Sequence, residues 1–211
     1  MSLTVIIIIL TSLISYQAFN NPQIQRQLIF HPYTMREVSG QWYRFLSHGL
    51  IHADWQHLLI NMFVLWQFGE YIENKFTDKM GDMVGRILYI ILYFSTIVAA
   101  SLPTFFKHRH NPSYSALGAS GATSGLVFGF ILFDPWKWFV FPPLPAIVLG
   151  VVYLFYSSYM EKRGTDNIGH NAHFWGAIYG AVFIFLAMLR YDPEFLQTFI
   201  NNSLEGPTSP F

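Results

Sequence analysis

The chain has 211 residues, 53% of them hydrophobic and only 11% charged, whereas soluble domains carry roughly 25% charge. The formal net charge is zero, which excludes the basic footprint of a nucleic-acid binder, and the absence of cysteine excludes disulfides and thiolate metal sites. Aromatic residues make up 18%, as suits belts at a membrane interface, and the length fits a single membrane domain over 1–211.

A spanning helix requires about 20 mostly apolar residues. The first candidate is LTVIIIILTSLISYQAF at 3–19, read as a retained helix because no basic leader or A-x-A cleavage pattern accompanies it. The connection at 20–56 mixes aromatic and basic residues, as a segment lying in the interface does. The second span, HLLINMFVLWQFGEYI, covers roughly 57–73, and the third covers roughly 84–104. SGATSGLVFGFILF at 120–133 is the fourth, and WKWFVFPP at 136–143 reads as an interfacial anchor. The fifth runs over about 143–160, with FPPLP at its start because proline is tolerated in a first helical turn. The sixth, AHFWGAIYGAVFIFLAML, occupies 172–189, and the tail after Arg190 reads as short and loosely ordered. The expected class is therefore an all-α polytopic membrane protein of six spans, with both termini on one side. A cytoplasmic N-terminus puts Arg26, Arg36, Arg44, Lys107, Arg109, Lys162 and Arg163 outside and only Lys75, Lys79, Arg86, Lys137 and Arg190 inside. The positive-inside rule leans against that orientation.

The fourth span is the informative one. Its residues at 1.5 Å each make a helix of about 21 Å, while the hydrocarbon core is about 30 Å thick. Asp134-Pro135 closes its far end, so its start is expected partway down the membrane, beside protein or a wet cavity. In GASGATSG, residues 118–125, Ser120 then stands at a helix N-terminus, where free N–H groups and the positive dipole end suit an oxyanion. Gly121, Gly125 and Gly129 recur every four residues and allow close approach of another helix. The sixth span carries His173, Gly176, Ala177 and Gly180 at i, i+3, i+4 and i+7, on one face. Packing of the two stripes brings His173 to the mouth of the fourth helix, where a neutral imidazole can take the serine proton. His57 and Asn61, at i and i+4, add donors for a developing oxyanion. Each feature has a plainer explanation taken singly: membrane serines usually bond back to their own helix, and glycine stripes usually only pack.

With these motifs in hand the sequence resembles the rhomboid intramembrane serine proteases. GASGATSG is similar to the family's GxSG element, AHFWGAIYG to its AHxxGxxxG element, and HADWQHLLINM to its H-x-x-x-x-H-x-x-x-N segment with His52, His57 and Asn61 in place. WYRFLSH and FGEYIE, ending in Glu73, are looser matches. The resemblance implies a serine endopeptidase with Ser120 as nucleophile and His173 as general base. Asn61 and His57 would support the oxyanion, with Gly118 and Gly121 beside the serine. It implies no cofactor, no metal and no obligatory acidic third member; Asp166 precedes His173 by about 10 Å if helical. Transmembrane protein substrates would arrive from lipid between helices two and five, with membrane lipids as the surroundings. Water would reach the site past polar loops such as 105–117. Ser124 stands where many members carry an aromatic that stacks on the catalytic imidazole, so another ring, Trp175 or an aromatic of the second span, is expected to hold His173. A bacterial inner membrane is the expected location. Three rival readings remain open: a histidine-rich metal protein using pairs such as His108/His110, His170/His173 and His52/His57; a catalytically inactive relative that binds membrane clients; and a transporter.

Overall fold

The computed structural model describes residues 1–139, 143–163 and 169–207, without the side chains of 161–163 and His170. In chain order the α-helices are α1 (Leu3–Asn20), α2 (Pro22–Leu28), α3 (Pro32–Glu37), α4 (Arg44–Ser47), α5 (Trp55–Val64), α6 (Glu70–Met80), α7 (Asp82–His108), α8 (Ser120–Phe133), α9 (Ala146–Arg163), α10 (His170–Tyr191) and α11 (Phe195–Glu205). No strand longer than an isolated bridge occurs among the described residues.

Side-chain size is sorted in the membrane-protein sense. On α1 the buried residues are Thr4, Ile7, Thr11, Ser15 and Ala18, a mostly small stripe, while Ile9, Leu10, Leu13 and Tyr16 face outward. Leu59, Phe63, Ile87 and Phe155 are likewise exposed on other helices. In water such a surface would be an aggregation liability; against lipid tails it costs nothing, and small residues inside let helices approach closely. Three described helices are long and apolar enough to cross a membrane: Leu3–Asn20, Asp82–His108 and Asn171–Tyr191. Ser120–Phe133 and Ala146–Met160 are apolar but shorter.

The second predicted span is longer than its apolar run. A π-helical turn at Leu65–Gly69 joins α5 to α6, so the helix continues from Trp55 to Met80 instead of ending at 73. Its charged continuation keeps Ile72 and Phe76, four residues apart, in the core. Gly81, with φ of 80°, turns the chain into α7 within a single residue. The buried Glu73 carboxylate caps the start of α1: it accepts from the N–H groups of Leu3 and Thr4 at 2.9 Å and from the Thr4 hydroxyl at 2.8 Å. Arg86 completes this cluster at 3.0 Å.

Three other expectations are corrected. The tail is not loose, because α11 packs Phe195 and Phe199 against Phe185, and Asn202 donates to the Phe133 carbonyl at 3.0 Å. Pro143 and Pro145 precede α9 rather than opening it; the Pro145 carbonyl accepts the first bond, from Leu149 N–H, at 3.0 Å. The predicted polar loop at 105–117 begins later, since α7 runs on through His108 despite Pro103. Part of the anchor at 136–143, residues 140–142, lies outside the described residues. The first connection folds into α2, α3 and α4, fastened by buried Arg44, which donates to the carbonyls of Arg26 at 2.9 Å and Ile29 at 2.6 Å.

Candidate active site at the mouth of α8

The start of α8 is set by main-chain geometry. Gly118 has φ of 116°, a region that a side chain disfavours, and its N–H donates to the His48 carbonyl at 2.9 Å. A Cβ there would also lie 2.6 Å from His57 Cε1, so glycine is required on two counts. Ala119 N–H donates to His52 Nε2 at 3.4 Å, and the Ala119 carbonyl accepts the first helical bond, from Thr123 N–H, at 3.0 Å. Ser120 is thus the first helical residue, with its N–H among those that the helix itself leaves unpaired.

His52 is wholly buried in the connection between α1 and α5. Since Nε2 accepts, Nδ1 carries the proton and donates to Ser15 Oγ at 3.0 Å; Ser15 in turn donates to the Leu50 carbonyl. Burial, followed by the proximity of His57, lowers the His52 pKa to about 3. His48, also buried in this connection, is lowered by burial to about 4. Both are neutral struts. His57 has the opposite tautomer: Ala53 N–H donates to its Nδ1 at 3.4 Å, which leaves the proton on Nε2, on the ring edge beside Gly118.

Asn61 is buried one turn further along α5. Its Nδ2 donates to the His57 carbonyl at 2.9 Å, and its Oδ1 accepts from the Thr123 hydroxyl at 3.3 Å. Thr123 shares its proton with the Ser120 carbonyl at 3.1 Å. Thr123 was not singled out in the sequence, although its place three residues after Ser120 marks it as a near neighbour on the same helix face.

The two glycine stripes face each other across α8 and α10. A Cβ on Gly121 would lie 3.3 Å from the Ala172 carbonyl, one on Gly176 would lie 2.9 Å from Gly121 Cα, and one on Gly125 would lie 3.2 Å from Gly180 Cα. Gly129 faces the tip of Ile184 instead of a glycine. Ser120 and His173 therefore start at the same end of the α8–α10 seam, and both are partly exposed. The ring stacked on His173 is Tyr153 of α9, with centroids 6.0 Å apart and planes inclined by 20°. This corrects the expectation of Trp175, which is exposed and packs edge-on to Phe174, or of an aromatic from the second span. Asp166 lies outside the described residues.

Among the described residues no three His, Asp or Glu side chains converge as metal ligands would. Of the histidine pairs, His108 stacks on Tyr114 and His110 takes Arg36, while the rings of His52 and His57 meet edge to face at 5.0 Å. A cavity of about 360 Å³ between the first connection and α7, lined by Trp42, Phe45 and Phe105 among others, shares no residue with the site.

Fold and surface together define an integral membrane protein of closely packed helices, with a serine at the mouth of a short one. The family model described as Rhomboid domain matches residues 39–190, and the chain belongs to the rhomboid family, a family of proteases. It is 28% identical over 158 residues to the chloroplastic Rhomboid-like protein 11 of Arabidopsis thaliana, covering 69% of this chain and 52% of the relative. It is 27% identical over 155 residues to the mitochondrial RHOMBOID-like protein 12 of the same plant, covering 68% and 46%. With a candidate rhomboid protease of Bacillus subtilis it shares 29% over 101 residues, covering 48% and 45%. The chain spans about half the length of these curated relatives.

Proposed function

We propose that the protein is an intramembrane serine endopeptidase that cuts peptide bonds in or beside transmembrane segments of other proteins. The observation that carries this reading is the mouth of α8. Ser120 opens the helix, Gly121 lies against Ala172 and Gly176 on the His173 helix, and donors of α5 stand beside it. His173 removes the Ser120 proton as Oγ attacks the scissile carbonyl. The oxyanion is received by the second Asn61 amide proton, by His57 Nε2–H and by the Ser120 N–H. Collapse expels the amine, which takes its proton from the His173 imidazolium, and leaves an acyl-enzyme on Ser120. Water, deprotonated by His173, then releases the new carboxylate and restores the serine.

The whole chain acts as one domain of six spans, the second being the continuous helix of α5, the π turn and α6. Substrates approach from lipid between that helix and α9, and segments rich in poor helix formers are cut best, because a helix hides its carbonyls. The location is a bacterial inner membrane, in keeping with the Bacillus relative; chloroplastic and mitochondrial relatives make an organelle the competing setting. Incubation of the purified protein with a fluorophosphonate probe tests the reading. Wild type should be labelled and Ser120→Ala should not. An unlabelled wild type, or unchanged labelling of Ser120→Ala, defeats it in favour of a client-binding relative.

A further inference from the structure

A general base acts only when its ring is held in the working orientation, and that usually falls to a third group. Here the side chain against the His173 ring comes from α9. Tyr153 stacks on the imidazole at a separation within the ordinary aromatic range of about 4.5–7 Å. Its hydroxyl lies 2.7 Å from Ser124 Oγ. Ser124 donates to the Ser120 carbonyl, also at 2.7 Å, so its oxygen is left to accept the Tyr153 proton. One chain of contacts therefore runs from the His173 ring through Tyr153 and Ser124 to the backbone of Ser120.

We propose that Tyr153 is the positioning residue for His173, and that Ser124 sets the Tyr153 ring through its hydroxyl. The inference rests on the reading of Ser120 and His173 as a working pair. It carries a mechanical consequence. α9 packs chiefly on α8 and α10, and near this point its Gly150 approaches Ile131 so closely that a Cβ would lie 2.6 Å from Cδ1. Val148, Val152, Phe155 and Tyr159 form its exposed face. Any outward movement of α9 takes the Tyr153 ring away from His173 and breaks the bond to Ser124. The base is oriented only while α9 is seated on α8.

The test is saturation labelling of the full-length protein with a fluorophosphonate, which separates the maximal rate from the half-saturating concentration. Tyr153→Leu should lower the maximal rate roughly 10–100-fold, as loss of a residue that orients a functional histidine commonly does. The half-saturating concentration should stay within about threefold, because the positioning residue does not touch the probe. Tyr153→Phe keeps the ring but loses the bond to Ser124, as Ser124→Ala does, so both should fall between the leucine variant and wild type. A structural role alone would instead lower the folded fraction and leave the rate per folded molecule unchanged. Tyr153→Met, which fills the space without a ring, replaces the leucine variant if that fails to fold. Wild-type labelling together with an undiminished rate in Tyr153→Leu or Tyr153→Met overturns the positioning role alone. So does a phenylalanine variant as slow as the leucine one. A wild type that is not labelled at all overturns both this role and the dyad.

Discussion

Substitution of Gly176 by alanine separates the geometry of the site from the stability of the fold. The new Cβ would lie 2.9 Å from Gly121 Cα and closer still to the Gly121 carbonyl, where ordinary contact is 3.4–4 Å. Those neighbours are backbone, so they cannot swing aside; α8 and α10 must part by about 1 Å or more at the turn that carries Ser120. Overpacking of this kind costs about 1–3 kcal/mol, but alanine is better than glycine inside a helix by about 1 kcal/mol. Because the clash is with backbone, the net loss of stability lies at the upper end of that range, about 2 kcal/mol. The effect on chemistry is larger, since a displacement of about 1 Å between reacting groups costs on the order of 100-fold. Gly129→Ala is the control. Its Cβ meets the tip of Ile184, which can rotate, and it lies about 13 Å along the helix from Ser120. Thermal unfolding in detergent micelles and the rate of fluorophosphonate labelling, measured on both variants, decide the matter. Gly176→Ala should be modestly destabilised and label about 100-fold more slowly, and Gly129→Ala should label within about threefold of wild type. Equal labelling of Gly176→Ala and wild type, or an equal slowing of both variants, would refute the claim that the glycine seam sets the distance between Ser120 and His173.

Glu73→Ala removes the acceptor for two main-chain donors of α1 and the ion-pair partner of Arg86, and should destabilise by about 2–4 kcal/mol in micelle unfolding. Glu73→Gln keeps one carbonyl oxygen and should lose less; equal losses would contradict the capping role. Stability should also fall as pH drops. His48 and His52 are held neutral in the fold, with pKa values about 4 and about 3 against 6.5 when free, so their contribution is full above pH 6.5 and is lost below it. By pH 4 the loss should be on the order of 2–3 kcal/mol for each. A melting temperature flat from pH 7 to 4.5, or an unchanged slope in His52→Gln, would count against it. Asn61→Ala should slow labelling roughly 100–1,000-fold, as the loss of an oxyanion donor does. Thr123→Val, which frees the Asn61 carbonyl but leaves the amide, should slow it only about tenfold; a larger effect for Thr123 than for Asn61 would invert the assigned roles.

The parts of the fold that were legible in the sequence are those governed by local signals. The fourth helix, expected over 120–133, is found at Ser120–Phe133, because Asp134-Pro135 closes its far end in the sequence itself. The spacing of Gly121, Gly125, Gly176 and Gly180 was equally plain, since a helix repeats every 3.6 residues whatever lies across from it. The second helix runs past its apolar stretch because ENKFTDKM, residues 73–80, carries one core residue, Phe76, among charges and polar groups. The terminal helix was missed for the same reason: Phe195 and Phe199 stand four apart, but NNS dominates the composition. Tyr153 left no local signal. Its importance arises from two contacts across helices, to Ser124 and to His173, and nothing in the periodicity of α9 distinguishes it from Tyr156 or Tyr159. A ring that serves one side chain on a neighbouring helix becomes visible only after packing.

That contrast has a physical reason that bears on how the site is kept in order. The first turn of a helix is its least secured part, because its N–H groups have no partners within the helix. A helix as short as α8 cannot fix its own mouth. Much of the fixing comes from outside: the His48 carbonyl and the His52 ring hold residues 118 and 119, while Asn61 and Tyr153 bond to Thr123 and Ser124, the two α8 hydroxyls that donate to the Ser120 carbonyl. Gly176 closes the remaining side against α10. The outside supports come from the first connection, α5, α9 and α10, so the geometry at Ser120 is a property of the assembled bundle. Loosening any one of them, α9 included, which packs chiefly on α8 and α10, should alter the rate at Ser120 before it unfolds the protein.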